Sequence, residues 1–210
     1  MICMNLKLVL ASESPRRKEL LQRAGFFFHV FSVKVSENLE KNLTVDEQIL
    51  TIARRKAEAS VKAYKPSKAE PFLILAADTM VILDDQPLGK PEDEEQAFEY
   101  LSQLSGRSHL VKTAVVLVEG PVSESQRLNL RFHEAVETTQ VIFRPLSEKE
   151  IREYIETGEP MDKAGAYGIQ GFGGNFVEKY IGAFDNVVGL PMEVTKKLLL
   201  QGKWSLVQEP

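Results

Sequence analysis

The stretch LKLVLASESPRRKELLQRAG, residues 6–25, decides the fold of this chain. Its apolar first part is rich in strand-forming residues, and a polar turn leads from there directly into a helical pattern that ends at Gly25. Ser14 suits the N-cap position and Pro15 the first helical position. The stretch therefore predicts a strand, a tight turn and a helix.

The same alternation continues along the chain. Strand patterns occupy residues 26–35, 72–83, 108–119 and 130–143, the last two joined by a loop at residues 120–126. Helical patterns occupy residues 44–64, 91–106, 147–158 and 191–200, two of them opened by capping boxes. Alternating strands and helices with one long, antiparallel hairpin predict an α/β fold, a mixed twisted sheet flanked by helices. We expect one domain over residues 1–210, with a polar tail from about residue 202.

Composition excludes several classes of protein. The formal net charge of -4 argues against a nucleic-acid or anionic-membrane binder, although the basic run Arg54-Arg55-Lys56 keeps nucleic-acid binding as a minor alternative. The single cysteine, Cys3, allows no internal disulfide framework. The pattern of the first residues does not predict a secretory leader, and no apolar run in the sequence is long enough to predict a membrane span. We therefore expect a cytoplasmic protein.

Two arginines stand where a helix start disfavours cations. Arg16 and Arg17 follow Ser14 and Pro15 in the first turn, at the positive end of the helix dipole. A bound phosphate would reverse that cost, because it could accept hydrogen bonds from backbone N–H groups, from the hydroxyl of Ser12 and from a guanidinium. The residues alone leave two readings open, an anion site and a pair of solvated arginines.

Two further charged residues have ambiguous positions. Asp78 interrupts the apolar run at residues 72–83, and a buried carboxylate there needs a partner, a metal ion or a role as general base. It could equally cap a local turn. Lys90 stands between prolines just before a helix, where a stiff loop could aim it at a phosphate, but most single lysines are solvated.

The segment at residues 162–174, DKAGAYGIQGFGG, holds five of the thirteen glycines. It matches neither a dinucleotide-binding fingerprint nor a P-loop. Such density predicts a backbone that approaches another group closely or adopts positive φ, or simply a structural loop. Gln170 is the side chain in it that could read the edge of a base, because its amide both donates and accepts hydrogen bonds.

Five motifs together carry a family resemblance. LVLASESPRR, AADT, GKP, GEPMDKAGAYGIQG and NVVGLP occur in this order from Leu8 onward, and the chain thereby resembles the Maf family of nucleotide pyrophosphatases. The resemblance implies a fold shared with the inosine triphosphate pyrophosphatases. It also implies hydrolysis of a nucleoside triphosphate to the monophosphate and diphosphate, a divalent cation (Mg²⁺ or Mn²⁺) and a homodimer.

The resemblance also assigns roles to residues. It makes Asp78 the catalytic carboxylate and makes Thr79 and Gln170 candidates for base selection. The triphosphate would be bound by Ser12, Arg16, Arg17, Lys56 and Lys90. By the same resemblance, the motif DKAGAYGIQG at residues 162–171 is the version that accompanies dTTP and UTP as substrates. The alternatives are hydrolysis of 7-methylguanosine triphosphate and non-catalytic regulation of cell division.

Two positions depart from the family pattern, a mild change at Ala76, where the family usually has a glycine-like residue, and a larger one in the acidic loop. The acidic loop of the family is replaced here by Lys-Val-Ser-Glu-Asn at residues 34–38. Glu37 falls in register as the carboxylate that would hold the metal ion together with Asp78. Glu40 is the alternative for that position.

Overall fold

The computed structural model describes residues 5–38, 42–65, 71–120, 130–202 and 204–206. Within them, eight strands run through Asn5–Leu10 (β1), Phe28–Val30 (β2), Phe72–Leu83 (β3), Gln86–Leu88 (β4), Ser108–Glu119 (β5), Phe132–Phe143 (β6), Val177–Ile181 (β7) and Ser205–Leu206 (β8). Cys3, Glu40 and most of the loop expected at residues 120–126 lie outside the described residues.

Six α-helices alternate with these strands in the described part of the chain. They are Pro15–Arg23 (α1), Val45–Ala63 (α2), Glu94–Leu104 (α3), Glu148–Glu156 (α4), Phe184–Val188 (α5) and Met192–Gln201 (α6). Three short 3-10 turns cover Glu159–Asp162, Ala164–Ala166 and Phe172–Phe176. None of the helices in the described residues is both long and apolar enough to cross a membrane.

All eight strands belong to one mixed sheet. Its main order is β2-β1-β3-β5-β6-β7, with β4 paired to β3 and β8 paired to β1. Strand β1 runs parallel to β2, β3 and β8, whereas β4 is antiparallel to β3 and β7 is antiparallel to β6. The predicted α/β fold with a mixed sheet is confirmed.

The chain divides into two compact units. Unit 1 comprises residues 1–78, 114–136 and 189–210, and unit 2 comprises residues 79–113 and 137–188. Each unit has its own apolar core. In unit 1 it includes Leu10, Leu21, Leu75, Leu117 and Leu190. In unit 2 it includes Val81, Leu101, Phe143, Ile151 and Tyr167. The interpretation of residues 1–210 as one domain stays a prediction.

Local hydrogen bonds explain the helix starts. The Ser14 hydroxyl accepts from the backbone N–H of Arg17, with Pro15 at the first helical position as predicted. The capping boxes before α2 and α4 are both formed. Helix α3 begins at Glu94, later than predicted, because the Asp93 carboxylate accepts from the N–H of Gln96 at 2.8 Å and thereby makes Asp93 the N-cap.

Two expectations from the sequence are corrected. The second strand covers only Phe28–Val30 of the expected residues 26–35, the three residues that pair in parallel with β1. The tail from about residue 202 is not merely polar. Trp204 packs against the core of unit 1, and β8 pairs with the first residues of β1.

Candidate functional site

The turn between β1 and α1 holds Arg17 in a defined position. The buried hydroxyl of Ser12 accepts a hydrogen bond from Arg17 Nη1 at 3.1 Å and one from the backbone N–H of Ser14 at 3.2 Å. Arg17 Nε donates to the carbonyl oxygen of Gly189 at 2.8 Å. Because two oxygen atoms accept from two different nitrogens of the guanidinium, Arg17 has little freedom to swing away from the helix start.

The surroundings of this turn affect the pKa of Arg17. Burial lowers the pKa of Arg17, the carboxylate of Asp78 opposes that shift, and the neighbouring Arg16 adds to it. An arginine nevertheless remains protonated in proteins. Within the described residues, no hydrogen bond or salt bridge involves the Arg16 guanidinium. The turn therefore presents two positive charges at the positive end of a helix, an arrangement that favours an anionic ligand.

Lys56 joins the two carboxylates that the sequence predicts as metal ligands. Its ammonium lies 2.6 Å from Asp78 Oδ1 and 2.6 Å from Glu37 Oε1. Lys56 comes from the middle of α2 and Asp78 from β3. Their side chains are 17% and 13% exposed, while Glu37 is 55% exposed. Helix α2 thus places a cation between two carboxylates, of which Asp78 is largely buried and Glu37 is solvent-exposed.

Asp78 is a better proton acceptor than an ordinary aspartate. Burial raises the pKa of its carboxyl group, and the nearby Glu37 adds to the rise, whereas Lys56 and Arg17 oppose it. A raised pKa means that the ionised carboxylate takes up a proton more readily than a solvated carboxylate does. This property suits a general base.

The same carboxylates could hold a divalent cation whose remaining ligands come from substrate. One oxygen of Asp78 and one of Glu37 already surround a single positive group, the Lys56 ammonium. Mg²⁺ is usually held by one or two carboxylates together with phosphate oxygens and water. The described residues contain no group of three or more His, Cys, Asp or Glu side chains that could hold a metal ion without such help.

The other predicted residues lie in unit 2. Thr79 Oγ1 is 3.0 Å from Thr113 Oγ1, and Thr113 donates in turn to the carbonyl oxygen of Asn186 at 3.0 Å. Lys90 is exposed. It follows Gly89, whose carbonyl oxygen accepts from the N–H of Gly165 at 2.9 Å. The GKP motif and the glycine-rich segment are therefore directly bonded to each other.

Gln170 lies in the glycine-rich segment with its side chain exposed. The segment wraps around a carboxylate, that of Glu159, which accepts hydrogen bonds from the N–H groups of Phe172 and Gly173. The predicted close approach of this backbone to another group is confirmed. The group is a side chain of the same chain.

The structure brings several of the predicted residues of unit 1 together. Ser12 contacts Arg17, and Lys56 contacts both Asp78 and Glu37, so most of the predicted phosphate, metal and catalytic residues of unit 1 are linked. The first two residues of the basic run at 54–56 have other roles. Arg54 pairs with Glu134, and Arg55 donates to the carbonyl oxygen of Asn38. Intramolecular partners thus occupy this run, which weakens the nucleic-acid alternative.

Sequence reasoning missed two residues that support the site. Gly189 holds Arg17 through its carbonyl oxygen, and Thr113 bonds Thr79. For Gly189 the signal was the glycine itself within the NVVGLP motif. Its φ of 119° in the structure is a conformation that favours glycine. Nothing in the sequence pattern marked Thr113, since its contact joins residues 34 positions apart.

The fold is a mixed sheet flanked by helices, and its unit 1 has a basic helix start and two carboxylates joined by a lysine. These features are typical of a protein that binds a ligand with several negative charges. Residues 7–202 match the family model described as Maf-like protein. The chain belongs to this family, and the resemblance seen in the sequence is confirmed.

Curated relatives are similar over most of their length. A protein of Bdellovibrio bacteriovorus named dTTP/UTP pyrophosphatase is 54% identical over 192 residues, 91% of this chain and 96% of the relative. Proteins with the same name from Desulfitobacterium hafniense and Bacillus velezensis are 46% and 45% identical, over 91% and 93% of this chain and 83% and 96% of theirs.

Solved structures give a more distant likeness. A nucleoside-triphosphatase described as a dITP/XTP pyrophosphatase, from Mycobacterium abscessus, aligns with a TM-score of 0.40 and 14% identity over 94% of both chains. The Ham1 protein of Staphylococcus aureus aligns with a TM-score of 0.37 and 18% identity, over 64% of this chain and 71% of that one.

Proposed function

We propose that this protein is a nucleoside triphosphate pyrophosphatase that hydrolyses dTTP and UTP to the nucleoside monophosphate and diphosphate. The observation that carries the proposal is the contact of Lys56 with both Asp78 and Glu37 in the same unit as the Arg17 turn. The names of the curated relatives support the choice of substrate.

The positive side chains of unit 1 neutralise and align the triphosphate. Arg17 is held by Ser12 and Gly189, so its position does not have to be fixed again when substrate binds. Arg16 supplies a second guanidinium at the same helix start. Lys56 donates to a phosphate oxygen once substrate draws it from one of its carboxylate partners. Catalysis of phosphoryl transfer depends mainly on such positioning and charge stabilisation.

Asp78 activates the water that attacks. The water oxygen forms a bond to the α-phosphorus while the bond between that phosphorus and the bridging oxygen breaks, and diphosphate leaves with the bonding electrons. Asp78 accepts the proton that the water releases. Its raised pKa favours this proton transfer.

Asp78 and Glu37 would hold a divalent cation, Mg²⁺ or Mn²⁺, together with phosphate oxygens of the substrate. Such a cation supplies positive charge against the negative charge that builds up on the phosphate oxygens. Glu37 is the more exposed of the two carboxylates, so it would be the more adaptable ligand.

The remaining assignments rest on the family. Lys90 would contribute to triphosphate binding, and Thr79 and Gln170 would select the base. A homodimer in the cytoplasm completes the proposal. Size-exclusion chromatography with light scattering would test the dimer, and a monomer over the working concentration range would contradict it.

The function is tested by offering the purified protein a set of common and modified nucleoside triphosphates with Mg²⁺ or Mn²⁺ and identifying the products. Formation of monophosphate and diphosphate from dTTP and UTP is the expected result. Selective hydrolysis of 7-methylguanosine triphosphate would move the protein to the other branch of the family. Equilibrium binding without any product would instead support a non-catalytic regulator.

A further inference from the structure

The carboxylate of Glu159 is the centre of a hydrogen-bonded cluster in unit 2. Its Oε1 accepts from the hydroxyl of Tyr154 at 2.9 Å and from the backbone N–H of Gly173 at 3.2 Å. Its Oε2 accepts from the N–H of Phe172 at 2.9 Å. Hydrogen bonds to an ionised acceptor are about twice as strong as those between neutral groups. Glu159 therefore fixes the backbone that follows Gln170.

The backbone that precedes Gln170 is fixed to the same cluster. The Tyr154 hydroxyl, which donates its proton to Glu159, accepts a hydrogen bond from the N–H of Gly168 at 3.2 Å. Burial raises the pKa of Tyr154, and the Glu159 carboxylate raises it further, so the phenol stays protonated and remains a donor. Gln170 is thus flanked by two anchors that meet at one carboxylate.

The glycines of the segment make this arrangement possible. A Cβ atom on Gly171 would lie 2.3 Å from Glu159 Oε2, and one on Gly173 would lie 2.7 Å from the Tyr154 hydroxyl. Both distances are shorter than side chains tolerate. The glycine density thus lets the backbone close around Glu159, while Gln170 is left exposed.

We propose that Glu159 is a positioning residue for base recognition, which it serves by holding the loop at residues 168–173 so that the Gln170 amide is presented in a fixed direction. This role rests on the proposed function, in which Gln170 contacts the base. Glu159 itself touches neither substrate nor the reacting atoms. Its effect should therefore appear in substrate affinity, and the turnover rate should be preserved.

Glu159→Gln is the decisive variant. The amide keeps the size of the carboxylate but turns an N–H₂ donor toward backbone N–H donors, so at least one anchor is lost. Glu156→Gln is the matched control, because Glu156 is exposed in the preceding helix and its replacement removes the same charge. Both variants are compared with the wild-type protein by thermal melting and by UTP hydrolysis.

The expected result distinguishes contacts to the base from contacts to the phosphates. In Glu159→Gln the KM for UTP rises roughly tenfold while kcat stays within about twofold of wild type. The inhibition constant of inorganic triphosphate, which lacks a base, stays unchanged. In Glu156→Gln all three values match wild type. Hydrogen exchange at the Phe172 and Gly173 amides accelerates only in Glu159→Gln.

Three outcomes would overturn the proposal. The first is an unchanged KM for UTP in a folded Glu159→Gln protein, and the second is an equal loss of affinity for UTP and inorganic triphosphate. If Glu159→Gln fails to fold, Tyr154→Phe removes the hydroxyl that bonds both Glu159 and Gly168, and an unchanged KM there is the third. A wild-type protein without UTP turnover would instead refute the proposed function, and this role with it.

Discussion

Replacement of Lys56 by methionine tests the centre of the proposed site. Methionine keeps an unbranched apolar stem and removes the ammonium that lies 2.6 Å from one oxygen of Asp78 and from one of Glu37. Two carboxylates then face each other without their shared cation. The pKa of Asp78 must rise above its wild-type value, because Lys56 is the principal group that lowers it against the effect of burial.

The magnitude follows from exposure. Breaking a buried charge pair costs about 3–5 kcal/mol, whereas an exposed pair contributes about 0–1 kcal/mol. The Lys56–Asp78 pair, with side chains 17% and 13% exposed, is close to the buried limit, and Glu37, at 55%, is close to the exposed one. We expect a loss of roughly 2–3 kcal/mol in the free energy of unfolding near neutral pH, which corresponds to a fall in Tm of about 5–10 °C.

Three measurements check this prediction, with Lys62→Met as the control on an exposed position of the same helix. The acid limb of kcat/KM for UTP moves to higher pH in Lys56→Met, because more of Asp78 is protonated at a given pH. Affinity for Mn²⁺ in the absence of nucleotide, measured by calorimetry, increases because the ion no longer competes with an ammonium. Tm falls as estimated. Lys62→Met changes none of these.

An acid limb that stays in place or moves to lower pH would refute the effect assigned to Lys56 on the pKa of Asp78. Weaker Mn²⁺ binding in Lys56→Met would contradict the expected increase in affinity, because that would make Lys56 a support for the metal ligands instead of a competitor for them. A lower kcat/KM alone would decide nothing, since Lys56 is also proposed to bind phosphate.

Three further predictions follow from single sites. Asp78→Asn should reduce UTP turnover about 10²–10⁴-fold, because the amide cannot accept the proton of the attacking water; near wild-type turnover would contradict the role of Asp78. Burial lowers the pKa of His109 from 6.5 to about 4, so the unfolded chain binds its proton first as the pH falls. Chemical denaturation should therefore show stability decreasing between these pH values, by about 3 kcal/mol at most, and less in His109→Gln. Gly165→Ala should destabilise by about 1–3 kcal/mol more than Gly25→Ala, because φ is positive at both but only the Gly165 Cβ would meet Val81, at 2.8 Å. Equal losses by thermal melting would exclude that clash.

The fold was predictable where local signals agree. Residues 6–25 combine an apolar strand, an N-cap serine and an N1 proline, and the structure has β1 and α1 there. The strand at residues 72–83 was also predicted with the bounds it has, since its apolar run is bounded by turn-forming residues. Elements that depend on distant partners were not predictable. Strand β8 forms only because β1 lies beside it, and its two residues carry no strand pattern of their own.

The candidate site shows the same division. An anion site at the turn between β1 and α1 could be proposed from the sequence because the residues that suggest it all lie within residues 12–17. Glu37 could be proposed as a metal ligand only through its position in a family motif. Lys56 had a weak signal of its own, because a basic run on a helix is normally solvated. Its contact with Asp78 is made by two elements 22 residues apart in sequence. The role proposed for Glu159 was hidden for a similar reason, since two of the three donors to its carboxylate are backbone N–H groups, which every residue except proline has.

The positive turn also has a consequence for stability. Arg16 and Arg17 stand at the positive end of α1, and burial already lowers the pKa of Arg17, so the substrate-free protein holds its cations at an electrostatic cost. The oxygens of Ser12 and Gly189 offset part of that cost by dipoles alone, which fix the guanidinium without cancelling its charge. The carboxylate of Asp78 offsets a further part, and an anionic ligand would offset more. Inorganic triphosphate should therefore raise the Tm of the wild-type protein, and more than an equal concentration of diphosphate, because each additional phosphate group brings charge to cations that are already in position.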